Sequence, residues 1–310
     1  MRSLGVIVLA VALASMAVVE AHAGLTVNGY VAAPEHYDRF ANSDDFIGSA
    51  YDWSGVGRTS GVSTGVSRWG VLISPSFMLS ATHFAPGLGD AVRFYTSNDP
   101  TGSYVERTVL SNVALIDTAI GVGSDLTLTK LSGPAAGIAT YAIGNPASSL
   151  VGQELFVWGQ ADNPVPFLNM RLGRNQVTDV LPAFTALGLV STGDVFEYDY
   201  NTVSGLGPDE ARLVAYDSGG PSFVDGPGGL ALVGIHWYVY DADPKVPGSL
   251  PGSGDTLVTS FINELNAAMS LTSLERVTVA AVPEPTSFAW LAVGLLLHRR
   301  RRSALPRQSR

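Results

Sequence analysis

The sequence predicts an all-β protein, either a sandwich or a barrel, and three observations support this. Short apolar and β-branched runs recur along the body of the chain, with turn residues between them. Glycine and proline are frequent, at 34 and 18 of 310 residues, which favours short strands over long helices. The hydrophobic fraction of 46% is ample for a packed core. The clearest runs are 69–73, 91–95, 104–110, 126–131, 155–158, 195–198 and 230–240.

The N-terminus has the pattern of a secretory signal. Arg2 precedes an apolar run over 4–19, and Ala21-His22-Ala23 follows it. A basic start, an apolar middle and an Ala-x-Ala end are typical of a signal peptide. We therefore expect signal peptidase to remove residues 1–23, so that the mature chain begins at Gly24. The alternative is an uncleaved membrane anchor.

Three segments are expected between the two ends. Residues 24–45 form an N-terminal extension, residues 46–275 the strand-rich domain, and residues 276–282 a linker. One helix is expected near the end of the domain, over 256–269, with Asp255 as its cap. Its apolar residues fall at helical spacing: Leu257, Val258, Phe261, Ile262, Leu265 and Met269.

The C-terminus has three parts in a fixed order. Pro283-Glu284-Pro285 precedes an apolar run over 287–297, and the arginine cluster 299–302 follows. At about 1.5 Å per residue, the run covers about half of a ~30 Å hydrocarbon core, so it is at best a short transmembrane run. Residues 283–302 resemble the PEP-CTERM sorting signal of Gram-negative bacteria. The resemblance implies a transient anchor in the inner membrane, removal of the tail by an exosortase, and a secreted or cell-surface product.

Composition argues against several classes of protein. Without the terminal segments the chain keeps 11 basic and 26 acidic residues, a net charge near −15, and no basic patch remains to bind nucleic acid or anionic lipid. The lack of cysteine excludes disulfides, iron–sulfur clusters and thiolate zinc sites. No metal or cofactor is expected, because no His-Glu-x-x-His motif is present. The acidic pairs at 44–45 and at 241 and 243 are either calcium ligands or solvated loops.

The stretch most suggestive of chemistry is Asp217-Ser218-Gly219-Gly220-Pro221, which follows an apolar run over 213–215. Glycines let backbone amides crowd around the serine oxygen, an arrangement that suits acyl transfer. The alternative is a turn that merely joins two strands. A serine hydroxyl also needs an imidazole base. Outside the terminal segments the chain offers three histidines: His36, His83 and His236.

Three motifs resemble those of trypsin-like serine proteases. They are the Asp-Ser-Gly-Gly-Pro stretch, the Ser-Ala-Thr-His ending at His83 after an apolar strand, and Ser-Asp-Leu-Thr-Leu-Thr-Lys-Leu around Asp125. The resemblance implies that Ser218 is the nucleophile, His83 the base and Asp125 the carboxylate that orients it. Asp117 is the nearest competitor to Asp125, but no alternating strand with a closing Lys-Leu follows it.

The same resemblance implies a fold and an activity. The fold is two six-stranded antiparallel β-barrels with a C-terminal helix. The barrels divide near 132–150, because residues 157–160 are similar to the start of the second barrel. The activity is that of an exported serine endopeptidase that forms an acyl-enzyme with a peptide or protein substrate. The alternative is a catalytically weak or inactive module that serves as a surface binding or matrix protein.

Two departures from the family concern the nucleophile. Tyr216 stands where the family has glycine, so the oxyanion hole would be built from the backbone amides of Tyr216 and Ser218. A side chain disfavours the backbone geometry that this position requires. The family's activating N-terminus, which pairs with the aspartate before the serine, is missing, so Asp217 needs another partner.

A third departure concerns the specificity pocket. The Gly-Ile-His-Trp string that ends at Trp237 resembles that of bacterial glutamyl endopeptidases, which implies that His236 and Trp237 line the pocket. Arg212 lies six residues before Ser218, where the family places the base of the pocket. Together these residues predict cleavage after Glu or Asp. The alternative is that His236 is a structural histidine and that Arg212 turns toward solvent.

Overall fold

The structure is a computed structural model that describes residues 24–61, 65–118, 121–146, 149–185 and 192–283. The predicted signal peptide and almost all of the predicted sorting signal, from residue 284 onward, lie outside the described residues. The described part of the chain contains 17 strands and two short helices, which confirms the all-β class. The strands are β1 Thr26–Val27, β2 Val56–Thr59, β3 Trp69–Ser74, β4 Phe77–Ala81, β5 Ala91–Tyr95, β6 Tyr104–Asp117, β7 Val122–Leu131, β8 Ala142–Pro146, β9 Glu154–Gly159, β10 Arg171–Gln176, β11 Asp179–Thr185, β12 Thr192–Asp199, β13 Ala211–Arg212, β14 Pro221–Gly226, β15 Gly229–Tyr240, β16 Gly252–Leu257 and β17 Val279–Val282; the helices are α1 Pro34–Tyr37 and α2 Ile262–Ser270.

The first unit is a closed antiparallel barrel with the strand order β2-β3-β4-β7-β6-β5. Strands β4 and β7 pair from Phe77 opposite Lys130 to Ala81 opposite Leu126. This register places the end of β4 beside Asp125 in β7, and the turn that carries His83 follows β4 directly. One cluster of apolar side chains is buried across these strands: Leu72, Met78, Val92, Phe94, Val109 and Leu131. The predicted six-stranded first barrel is therefore present.

The second unit is a larger sheet with the antiparallel order β10-β9-β14-β15-β16-β12-β11. Two further strands join it in parallel: β8 pairs with β15, and β17 pairs with β8. The two-part antiparallel architecture agrees with the prediction, but the second part holds nine strands rather than six. The central strands β9, β14 and β15 carry fully buried apolar residues such as Val157, Phe223 and Leu232.

The N-terminal extension packs onto the second sheet. Strand β1 pairs with β13, with Thr26 opposite Arg212, and the Leu25 N–H donates to the Gln160 carbonyl at 2.9 Å. Arg171 in β10 is almost fully buried, and its guanidinium donates to the Leu25 carbonyl at 3.0 Å and to Asp38 at 2.7 Å. A buried guanidinium needs such acceptors, so the extension is part of the folded body.

The C-terminal region differs from the prediction at two places. The helix expected over 256–269 begins at Ile262, after a 3₁₀ turn over Val258–Phe261. Its start is later because Asp255 and Thr256 pair with β15 as part of β16. The segment expected to be a linker contains β17, and Val282 is buried. Across the described ranges, no helix is both long and apolar enough to cross a membrane.

Candidate active site

His83 and Asp125 form a hydrogen-bonded pair at the edge of the first barrel. His83 lies in the 3₁₀ turn Thr82–Phe84, and its Nδ1 is 2.6 Å from Asp125 Oδ2. The His83 backbone N–H also donates to Asp125 Oδ1 at 2.9 Å. Because a carboxylate only accepts, Nδ1 carries the proton and Nε2 is left with a lone pair. The pair therefore has the tautomer that a general base requires.

Burial and local hydrogen bonds hold this pair in place. Asp125 is 2% exposed, whereas the His83 side chain is 27% exposed, so the carboxylate is buried and the imidazole reaches solvent. The Thr82 hydroxyl lies 2.9 Å from that of Thr127 and fixes the turn to β7. The competitor Asp117 lies at the end of β6, opposite Val122. The structure thus brings Asp125, the predicted carboxylate, to the predicted base.

Ser218 lies in a tight turn that presses against the end of β4. Gly219 has a φ of 83°, in the left-handed region that favours glycine. A Cβ on Gly219 would lie 2.6 Å from Ser80 Oγ and 3.2 Å from the Ala81 nitrogen. Only glycine permits this approach to the strand that leads into His83. Ser218 itself is half-buried.

Asp217 is fully buried beneath the turn and is bonded by backbone amides. Its Oδ1 accepts from the Gln160 N–H at 2.7 Å and its Oδ2 from the Val214 N–H at 2.8 Å. Burial raises the pKa of this carboxyl to about 6, even though both amide bonds act to lower it. These two amides are the partners that the sequence left unidentified.

Tyr216 keeps a backbone amide at the expected oxyanion position. In the described part of the chain, the N–H groups of Tyr216 and Ser218 donate to no protein acceptor. The Tyr216 φ of 74° is left-handed and costs a non-glycine residue about 1–2 kcal/mol. Its side chain is 53% exposed, and its ring centroid lies 6.0 Å from that of Phe84, next to His83.

A cavity of about 160 Å³ lies beside Ser218 and has mostly apolar walls. His236 and Trp237 are both among its lining residues. Arg212 is not among the lining residues, because its guanidinium donates to the Tyr240 carbonyl at 2.7 Å and to the exposed carboxylate of Asp241 at 2.9 Å. The guanidinium of Arg212 therefore lies away from the cavity and is bonded to the exposed Asp241, in line with the alternative that Arg212 turns toward solvent. The lining residues are Leu213, Val214, Ala215, Ser218, His236, Trp237, Tyr238 and Val239.

His236 also follows the second interpretation, that of a structural histidine. The residue is fully buried, with Nε2 2.6 Å from the Trp158 carbonyl and Nδ1 2.9 Å from Asp255 Oδ1. Both ring nitrogens are therefore occupied by protein partners, and neither is available to a substrate carboxylate. Sequence reasoning missed Asp255 as this partner and assigned it to a helix cap. The β-branched Thr256 after it was the available signal for a strand.

Among the residues described, no group of three or more histidine, aspartate or glutamate side chains is arranged to hold a metal ion. No known protein-family profile matches the sequence, and no curated protein matches it. Among solved structures, an inactivated protease paralogue, S-I1, of the scabies mite is similar to this chain. The two sequences are 18% identical, the alignment covers 70% of this chain and 95% of that one, and the TM-score is 0.47.

Proposed function

We propose that the protein is a serine endopeptidase that hydrolyses peptide bonds through an acyl-enzyme on Ser218. The observation that carries the proposal is the His83–Asp125 pair, in which a buried carboxylate binds Nδ1 at 2.6 Å and leaves Nε2 to act as a base. The glycine turn that holds Ser218 against β4 supports it, as do the two amides that donate to no protein acceptor in the described residues.

The first half of the reaction acylates the serine. Ser218 Oγ attacks the carbonyl carbon of the scissile bond while its proton passes to His83 Nε2. The N–H groups of Tyr216 and Ser218 stabilise the negative charge that develops on the carbonyl oxygen. His83 then gives its proton to the leaving nitrogen, the C–N bond breaks, and the amine product departs.

The second half returns the free enzyme. Water attacks the ester carbon while His83 takes its proton, and the same two amides stabilise the oxyanion. The bond from Oγ to carbon then breaks, Ser218 regains a proton from His83, and the carboxylic acid product leaves. Throughout, Asp125 stays ionised and stabilises the imidazolium, so it needs no proton of its own.

The cavity beside Ser218 supports a preference for an apolar side chain before the cleaved bond. Its walls are mostly apolar, and a carboxylate buried there would lack hydrogen-bond donors from Arg212 and His236. Profiling the cleavage of a denatured proteome tests this preference. We expect cuts mainly after large apolar residues. A majority of cuts after Glu or Asp would instead support the sequence-based expectation.

The second candidate function is that of a catalytically weak or inactive surface binding module. One observation favours it: Tyr216 sits in the left-handed region, and its strain acts on the amide that would bind the oxyanion. A surface module needs the fold but not this amide. The two functions therefore differ in whether Ser218 reacts.

Labelling with a fluorophosphonate probe distinguishes the two candidates. An activated serine attacks the phosphorus and displaces fluoride, whereas an ordinary surface serine does not. We expect the exported protein to be labelled, Ser218→Ala to lose labelling, and Ser103→Ala, which removes an exposed serine hydroxyl, to keep it. Absence of labelling in the folded wild type would favour the binding module.

For localisation, we propose export followed by removal of both terminal segments. The support is the sequence pattern alone: the Ala-x-Ala end before Gly24 and the ordered sorting motif over 283–302. Mass spectrometry of the native protein tests it. We expect an N-terminus at Gly24 and no peptide that contains the arginine cluster 299–302. A tail that survives on the exported form would contradict processing.

A further inference from the structure

We propose that His236 and Asp255 form a buried pair that positions the nucleophile turn, residues 216–220, for catalysis. The inference rests on the proposed function and assigns these residues a positioning role rather than contact with the substrate. It differs from the sequence-based expectation, in which His236 binds a substrate carboxylate. Four observations support it: a backbone clamp, the contacts of the ring, the number of protons in the pair and its complete burial.

The first observation is that the backbone of His236 clamps the nucleophile turn. The Gly219 N–H donates to the His236 carbonyl at 3.0 Å, and the His236 N–H donates to the Gly220 carbonyl at 2.9 Å. A Cβ on Gly220 would lie 2.7 Å from His236 Cδ2, so the imidazole lies directly against the turn. Any movement of His236 is therefore transmitted to the residues that follow Ser218.

The second observation is that the ring of His236 ties the turn to two neighbouring strands. Nε2 is 2.6 Å from the Trp158 carbonyl in β9, and Nδ1 is 2.9 Å from Asp255 Oδ1 in β16. The Tyr198 hydroxyl in β12 donates to the same carboxylate oxygen at 3.1 Å. One side chain thus links β9, β15 and β16, and through Asp255 it reaches β12.

The third observation is the number of protons in the His236–Asp255 pair, which follows from the chemical types of its partners. A carbonyl only accepts, so Nε2 of His236 must carry a proton. The contact between Nδ1 and Asp255 Oδ1 needs one more proton, which sits on either of the two atoms. In both arrangements the pair is neutral in total. Asp217 is a further acid that senses the charge of His236, and the Tyr198 hydroxyl donates to Asp255.

The fourth observation is that solvent reaches neither side chain, because both are 0% exposed. His236→Gln alone sets the oxygen of the Gln amide, which only accepts, against the Asp255 carboxylate and leaves that buried charge uncompensated, which is strongly unfavourable. Asp255→Asn alone keeps the chain of hydrogen bonds, because an Asn Nδ2 proton can reach His236 Nδ1 while Nε2 still donates to the Trp158 carbonyl. Replacement of both partners by a matched neutral pair removes that penalty. The chain therefore allows a double-mutant test: His236→Gln and Asp255→Asn, alone and together.

A positioning role predicts a particular kinetic signature. The Ser218 N–H lies one residue before the clamped Gly219, and displacement of an oxyanion donor lowers the rate of the chemical step on the order of 10²-fold. The binding cavity beside Ser218 should be affected less. With the fluorophosphonate probe, we expect His236→Gln to lower the maximal inactivation rate on the order of 30-fold or more. The probe concentration at half-maximal rate should change less than about threefold.

The double variant supplies the rescue. In His236→Gln/Asp255→Asn, a Gln Nε2 proton can reach the Trp158 carbonyl and an Asn Nδ2 proton can reach the Gln oxygen, so the chain of hydrogen bonds is restored. We expect the inactivation rate of the double variant to recover by about tenfold over His236→Gln, because the buried charge of Asp255 is removed. Asp243→Asn, in an exposed loop, is the matched control and should behave as wild type. Circular dichroism and thermal unfolding verify that each variant is folded.

Proton NMR of the wild type tests the pair even if a single variant fails to fold. A ring N–H held between His236 and Asp255 should give a downfield resonance that exchanges slowly with water and persists in His83→Ala, which removes the other ring N–H bonded to a carboxylate. Rapid exchange of that proton would overturn the inference. A folded His236→Gln variant with the wild-type inactivation rate, or a double variant with no recovery over His236→Gln, would overturn it as well. A wild type that the probe does not label would defeat the proposed function itself, and the positioning role with it.

Discussion

The dependence of stability on pH tests the burial of Asp217 directly. This carboxyl is fully buried, and burial raises its pKa from an ordinary 3.8 to about 6. A raised pKa means that the folded state favours the neutral form more than the unfolded chain does. The contribution to stability is therefore fully present below about pH 4 and is lost as the pH rises through 6. At about 1.4 kcal/mol for each unit of pKa, the loss amounts to about 3 kcal/mol.

The assay is urea unfolding of the wild type and of Asp217→Asn at several pH values between 4 and 8. The Asn side chain cannot ionise, so the variant lacks this loss of stability. It places an amide donor against the Val214 N–H and so carries a constant penalty of about 1–3 kcal/mol. We expect the difference in unfolding free energy to shift by about 3 kcal/mol in favour of the variant as the pH rises. Asp44→Asn, at an exposed position, should leave the wild-type profile unchanged.

One result would refute this reasoning. If the difference between wild type and Asp217→Asn stays constant from pH 4 to pH 8, ionisation of Asp217 carries no net cost in the folded state. The bonds from the Gln160 and Val214 amides would then fully replace the lost hydration of the carboxylate. In that case burial would not raise the pKa of Asp217.

Three further predictions concern the geometry of the site. Asp125→Asn should lower peptidase turnover on the order of 10⁴-fold without unfolding the protein, because the Asn side chain no longer fixes the tautomer of the His83 imidazole. Wild-type turnover in this variant would exclude Asp125 as the carboxylate that orients His83. Tyr216→Gly should relieve about 1–2 kcal/mol of strain from the left-handed backbone. The fluorophosphonate probe should therefore label it faster than Tyr216→Ala, which retains that strain. Equal labelling rates would show that the strain does not limit the reaction. Gly219→Ala should lower the thermal unfolding temperature more than Gly89→Ala does. Both glycines have a left-handed backbone, but only at Gly219 would the added Cβ meet Ser80. Equal losses of stability would contradict that contact.

Short-range patterns were enough to predict seven of the 17 strands in the described part of the chain. The run 91–95 coincides with β5, and the run 69–73 lies within β3. These runs are short, apolar and bounded by turn residues, so local composition determines them. The strand β17 was missed because it depends on parallel pairing with β8, more than 130 residues earlier. No local pattern over 276–282 distinguishes such a strand from a linker.

The site was predictable to the same extent. His83 and Asp125 follow recognisable local motifs, and the register of β4 against β7 brings them together. The environment of His236 was not predictable, because its partners come from other strands. A register shift between His236 and Tyr238 disrupts the regular pairing of β15 with β16. Simple alternation along the strand therefore could not show which way the imidazole points.

The anchoring of the nucleophile turn shows how the fold accommodates the predicted departures around Ser218. Asp217 lacks a free chain end as a partner, yet the Gln160 and Val214 amides take both of its oxygens. The Gln160 carbonyl in turn accepts from the Leu25 N–H. The N-terminal extension therefore supports Gln160, whose own N–H binds Asp217. On its other side, the turn is held by the backbone of His236. All of these contacts are made by groups within the N-terminal extension and the second sheet, and none of them uses a chain end.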